Sequence, residues 1–204
     1  MADSLKSGIN ARYLVPIVAA YAAAAGLLGL DRITQLQTIF AHAGVAGIAG
    51  VAMLVLQEVF PRPLKEALIF WRLQDRLPGC RAFSEIAPRD PRIDPTDLAI
   101  LIPATTMSAT QQNALWYRWL KETESDPAIA DNHRRYLILR DCAVLLALLA
   151  LTTPALLIWT REAPTHTIML AAGLLVAYLI VATSARHAAC RLVGNVIARK
   201  VATA

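Results

Sequence analysis

Charged side chains are missing from four long stretches of the chain, residues 13–30, 33–57, 142–160 and 163–185. Each stretch reaches the ~18 residues with which a helix crosses roughly 30 Å of hydrocarbon. Lipid offers backbone amides no partner, so such stretches are expected as helices and not as strands. The pattern predicts an all-α integral membrane protein with four transmembrane helices. Between the second and third lies a segment of different character, residues 61–141, which holds eight of the eleven prolines and is cut by them into short pieces.

Those pieces carry helix signals of their own. Residues 64–77, LKEALIFWRLQDRL, place Lys65, Arg72 and Arg76 along one face and Phe70, Leu73 and Leu77 along another, which predicts a helix across the whole stretch. Trp71, beside a membrane exit, fits an interfacial anchor. In DPTDLAILIP, Asp94 can cap, Pro95 takes the first helical position and Asp97 sits in the first turn. The apolar run 98–102 needs burial, so the insert is expected to be a small packed domain. Ser108 and Gln111 have capping-box spacing, ahead of a stripe of Leu115, Trp116, Trp119 and Leu120. A further helix begins at Asp126 and Pro127 and is expected to run unbroken through HRRYLILRD into the third span. The tail RHAACRLVGNVIARKVA sets Arg191, Asn195 and Arg199 against Leu192, Val193, Val196 and Ile197, so it either extends the fourth helix or lies on the membrane surface. The expected domains are an N-terminal transmembrane hairpin (1–60), a cytoplasmic helical domain (61–141), a second hairpin (142–185) and a basic amphipathic tail (186–204).

Composition agrees with this plan. Only 17% of the 204 residues are charged and 56% are hydrophobic, whereas soluble domains carry about 25% charged residues. Lys6 and Arg12 precede the first span, twelve lysines and arginines lie in residues 61–141, and Arg186, Arg191, Arg199 and Lys200 follow the last span. The two tight connections hold only Arg32 and Arg161, each beside an acid, Asp31 and Glu162. Positive charge on the cytoplasmic side puts both termini and the insert in the cytoplasm of a bacterial inner membrane. It also accounts for the net charge of +5 without a nucleic acid. A cleaved signal peptide is the alternative for the first stretch; the length of its apolar run and the second span close behind it favour a retained hairpin.

Catalytic chemistry finds little support. His42, His133, His166 and His187 share no metal-ligand spacing, and no GxGxxG, Walker loop or GxSxG occurs. Cys80, Cys142 and Cys190 have no CxxC spacing and read as packing residues. No catalytic residue, metal or cofactor is therefore assigned, and the chain is not expected to be an enzyme.

The spans say more. Ala43 with Gly47, and Ala46 with Gly50, are small residues four apart, the arrangement that lets helices approach closely in lipid. The contact lies either within one monomer or between subunits around an aqueous path. Glu58 at the cytoplasmic end of the same span pairs with Arg62 or, in an oligomer, forms an acidic ring that attracts cations. For the cytoplasmic surface the binding candidates are Arg72 and Arg76 in FWRLQDR, Trp116 and Arg118 in LWYRWLK, and Arg134 and Arg135 in HRRY. Such basic–aromatic mixtures can bind single-stranded nucleic acid, but beside a membrane they serve anchoring and packing equally well, so nucleic acid or nucleotide is the lesser expectation.

With two hairpins around a basic cytoplasmic insert, and segments such as RLPGCRAF, DPRID, LWYRWLK and HRRYLILRD within it, the chain resembles the small membrane proteins of bacterial anti-phage defence systems. That resemblance implies a sensor or a membrane-disrupting channel and assigns no residue a role. The leading expectation is a homo-oligomeric channel or membrane-disrupting effector gated by its cytoplasmic domain. The alternative is a non-conducting sensor or scaffold that recruits a cytoplasmic protein partner. Replacing Gly47 with Leu is expected to block assembly or conduction; unchanged mass in mild detergent together with unchanged conductance would remove the small-residue seam from the pore.

Overall fold

The computed structural model describes residues 16, 17, 19, 20, 59–102, 106–160 and 164–203, and every regular element among these is helical. The helices are α1 (Arg62–Phe70), α2 (Pro95–Leu101), α3 (Ala109–Glu122), α4 (Pro127–Thr160) and α5 (Pro164–Val201). Between α1 and α2 runs an irregular helical segment in which a π turn (Ala82–Ile86) sits between two 3-10 turns (Pro78–Arg81 and Ala87–Arg89). Two of the described helices, α4 and α5, are long and apolar enough to cross a membrane, and the third charge-free stretch and residues 164–185 of the fourth fall in them. The first two stretches lie outside the described residues.

Local chemistry sets most helix starts where expected. Asp94 accepts from the Thr96 amide at 2.7 Å ahead of Pro95, and Ser108 and Gln111 exchange the two bonds of a capping box. Asp126 accepts from the Ala128 amide at 2.9 Å, and α4 then continues without interruption to Thr160. The stretch 64–77 corrects one expectation: its helix stops at Phe70. Trp71 and Asp75 take left-handed backbone angles, φ 51° and 45°. A non-glycine residue gives up roughly 1–2 kcal/mol in that region, and tertiary contacts offset the cost here. The Phe70 ring lies 6.5 Å from that of Tyr136, and the Arg186 guanidinium sits 4.7 Å above the Trp71 ring.

The chain divides into two compact units. The first comprises Met1–Leu68 with Ile138–Ala182. In its part of α4, residues 141–147 are buried on every side, and Asp141, 5% exposed, is hydrogen-bonded to Arg140 Nε at 2.8 Å. Pro154 lacks the amide that would bond the Ala150 carbonyl. Just before it, the buried Thr153 hydroxyl donates to the Leu149 carbonyl at 2.6 Å. The Tyr178 hydroxyl donates to the Leu68 carbonyl at 2.5 Å, satisfying an acceptor that the end of α1 leaves open. In contrast, the apolar window of α5 is only 11% buried. Ile168, Met169, Leu175, Val176, Leu179 and Ile180 are all exposed along it.

The second unit comprises Ile69–Leu137 with Thr183–Ala204. Its core gathers Phe83, Ile93 and Leu98, Trp119 and Leu120 of α3, Ile129 of α4, and Leu192, Val193, Val196 and Ile197 of α5. The Phe83 and Trp119 rings meet edge to face, 5.1 Å between centroids. Thus Leu192, Val193, Val196 and Ile197, the apolar side of residues 186–204, lie in the core of the same unit as residues 69–137. Ion pairs from Arg199 to Asp126 (3.1 Å) and from Lys200 to Glu122 (2.7 Å) lie along its polar side.

One buried polar side chain holds the irregular segment. Gln112, 7% exposed, accepts through Oε1 from the Phe83 and Ser84 amides, both at 3.1 Å, and from the Ser84 hydroxyl at 3.2 Å. Its Nε2 donates to the Met107 carbonyl at 3.4 Å. Without that acceptor, amide donors at the start of a π turn lose their partner. Gln112→Leu is expected to destabilise the unit by about 1–3 kcal/mol, measured by urea unfolding followed through tryptophan fluorescence; an unchanged midpoint would show the amides satisfied by other means.

Candidate functional site

The segment held by Gln112 leads into a cleft. Pro78 opens the first 3-10 turn, and Gly79 follows where a Cβ would collide with Asn113 Oδ1 and stand 2.8 Å from the Trp116 ring. Only glycine lets the turn lie this close to α3. From there the chain presents Arg81, Glu85, Arg89, Asp90 and Arg92, and α5 supplies Arg191 opposite them; Ile86, Pro91 and Cys190 complete the walls of a cleft of about 450 Å³.

A second glycine seats the far wall. A Cβ at Gly194 would stand 2.7 Å from Asp90 Oδ2, so the carboxylate rests directly on the α5 backbone. Asp90 is held there by Arg92, whose Nε donates to Oδ1 at 2.9 Å, whose Nη2 donates to Oδ2 at 2.7 Å and whose backbone amide donates at 3.2 Å. This two-pronged bond holds the Asp90 carboxyl below the usual carboxylate range. Glu85 is likewise engaged, by Arg81 Nη1 at 3.0 Å.

Four arginines and two carboxylates therefore line the cleft, an excess of two positive charges. Both carboxylates are taken by Arg81 and Arg92. Arg89 and Arg191 are exposed and have no acidic partner among the described residues. In addition, the Nε of Arg81 is buried without a hydrogen-bond partner. Chemically the arrangement offers guanidinium donors in excess of its carboxylates. Among the described residues there is no group of three or more histidine, cysteine or acidic side chains placed to hold a metal.

The residues singled out from sequence lie elsewhere. Ala43, Ala46, Gly47, Gly50 and Glu58 fall outside the described residues. Arg72 is exposed, and its carbonyl accepts from Arg76 Nε at 3.1 Å in the loop after α1. Trp116 is half-buried beside Gly79, and its indole Nε1 is buried without a partner. Arg118, Arg134 and Arg135 are exposed on α3 and α4 and line no part of the cleft. The available signal for the cleft was the density of arginine in RAFSEIAPRDPR, and Arg191 on the polar side of the following amphipathic helix.

Comparison with known proteins finds no family model, no curated protein and no solved structure that matches the chain.

Since the folded carboxyl of Asp90 ionises below its unfolded counterpart, its stabilising contribution is complete above the ordinary carboxylate range and is lost as pH falls through the lowered value. Asp90→Asn is expected to lower the thermal midpoint at neutral pH, with the difference from wild type shrinking below about pH 4. A difference that stays constant down to pH 3 would mean that the Asp90–Arg92 pair adds nothing to the fold.

Proposed function

We propose that the protein is an integral inner-membrane protein with four transmembrane helices and both termini in the cytoplasm, whose cytoplasmic helical domain gates a homo-oligomeric channel or membrane-disrupting assembly. The observation that carries this reading is α5. Over residues 168–180 it exposes an apolar stripe of large side chains. Water is a poor medium for such a stripe and lipid a good one. Over residues 192–197 the same unbroken helix is core of the second unit. A helix transmits displacement along its axis because every peptide is bonded to the next turn. Binding that shifts the core of the domain is thereby felt in the spanning stretch, and α4, continuous from Pro127 to Thr160, gives a second such connection.

The cleft favours a second reading, a non-conducting membrane sensor that recruits a cytoplasmic protein partner. A recognition site of this kind needs no pore. Membrane disruption in an anti-phage defence setting is the biological role that fits the first reading, and partner recruitment the second.

Planar-bilayer recording separates them. The purified protein, of defined oligomeric mass, is expected to give discrete conductance steps. A glycine insertion after Ser184 interrupts α5 and is expected to leave the domain folded while abolishing gating, leaving a pore that is either always open or always closed. An oligomer silent under all conditions, with the insertion variant equally silent, would overturn the channel reading in favour of the sensor.

A further inference from the structure

We propose that the arginine cleft of the second unit is a binding site for a phosphate group. The proposal needs the cleft alone and stands whether or not the protein conducts.

Three observations converge. The cavity, about 450 Å³, falls in the range of small-molecule sites. It is large enough for a phosphorylated group with part of its carrier. Its two carboxylates are already paired with Arg81 and Arg92, which leaves Arg89 and Arg191 lining the same space with no acidic partner among the described residues. Finally, Arg81 keeps a buried Nε donor unsatisfied. Buried donors are nearly always paired in native proteins, and the residue that carries this one also lines the cleft.

The donor set favours phosphate over a carboxylate. A carboxylate offers one edge to one guanidinium fork. A phosphate offers several edges, and two guanidiniums from opposite walls, Arg89 on the irregular segment and Arg191 on α5, can share one group. None of the nine lining residues is aromatic, so a nucleobase would find no stacking surface and recognition rests on the phosphate itself.

Two sources present this chemistry. Arg191 lies six residues, about 9 Å of helix rise, beyond Ala185, where the last charge-free stretch ends. An anionic phospholipid headgroup is therefore one source. A soluble phosphorylated metabolite in the cytoplasm is the other.

The test uses the full chain in phosphatidylcholine nanodiscs, titrated calorimetrically with pyrophosphate, and then repeats the titration in nanodiscs that also contain phosphatidylglycerol. Saturable binding that weakens with salt is expected in the first case. If phosphatidylglycerol suppresses it by competition, the headgroup is the source; if binding is the same in both lipids, the source is soluble. Because Arg89 and Arg191 have no acidic partner among the described residues, R89Q/R191Q is expected to keep the wild-type thermal midpoint yet weaken pyrophosphate binding at least about tenfold, the loss of one charge-assisted contact. R134Q/R135Q, exposed and outside the cleft, is expected to bind as wild type. Absence of saturable pyrophosphate binding in phosphatidylcholine, or an equal loss in both double variants, would overturn the site. Neither result bears on conductance, so the channel reading stands or falls separately.

Discussion

The second unit depends on one apolar stripe, Leu192, Val193, Val196 and Ile197 of α5, all at most 2% exposed. Each such side chain contributes roughly 1.5–3 kcal/mol when taken fully out of water, and the other elements of the unit share one core with this stripe. Phe83 comes from the irregular segment, Ile93 from the connection that follows it, Leu98 from α2, Trp119 from α3 and Ile129 from α4. The irregular segment and the connection after it are not regular α-helix, and α2 has only seven residues. Helices of that length are unstable in isolation, so their conformation is a consequence of the surface they meet.

Polar contacts then decide how they meet it. Gln112 satisfies the amides that a π turn leaves open, and Asp90 settles on Gly194 once its charge is matched by Arg92. Both devices act at the same segment, one at each end, and together they turn a proline-interrupted stretch into a fixed wall. That wall brings guanidiniums from residues 81–92 opposite one from residue 191. Charge collects in the cleft because the carboxylates that could have neutralised Arg89 and Arg191 are occupied in holding the wall itself.

What the sequence made legible was whatever local chemistry determines. The caps at Asp94 and Ser108, the start at Asp126 and the continuity of α4 depend on residues within one turn of each other, and all appear as expected. The end of α1 depends on Tyr136 and Arg186, distant in sequence, and periodicity over 64–77 carries no trace of them. The stripe at 192–197 was visible as amphipathic, but amphipathicity does not say whether membrane or protein covers it. The cleft was the least legible feature, since its two sides are about a hundred residues apart and its arginines sit in a connector where no helical pattern groups them.

The division of the second unit between Ile69–Leu137 and Thr183–Ala204 also orders its biosynthesis. Translation runs at about 5–20 residues per second. The insert therefore leaves the ribosome several seconds before the helix that completes its core. During that interval Phe83, Trp119 and Ile129 have no permanent cover, and the apolar residues 138–182 must be made and disposed of first. Completion of the domain core, and of the cleft wall that Arg191 supplies, therefore waits until the stretch between its halves has been synthesised.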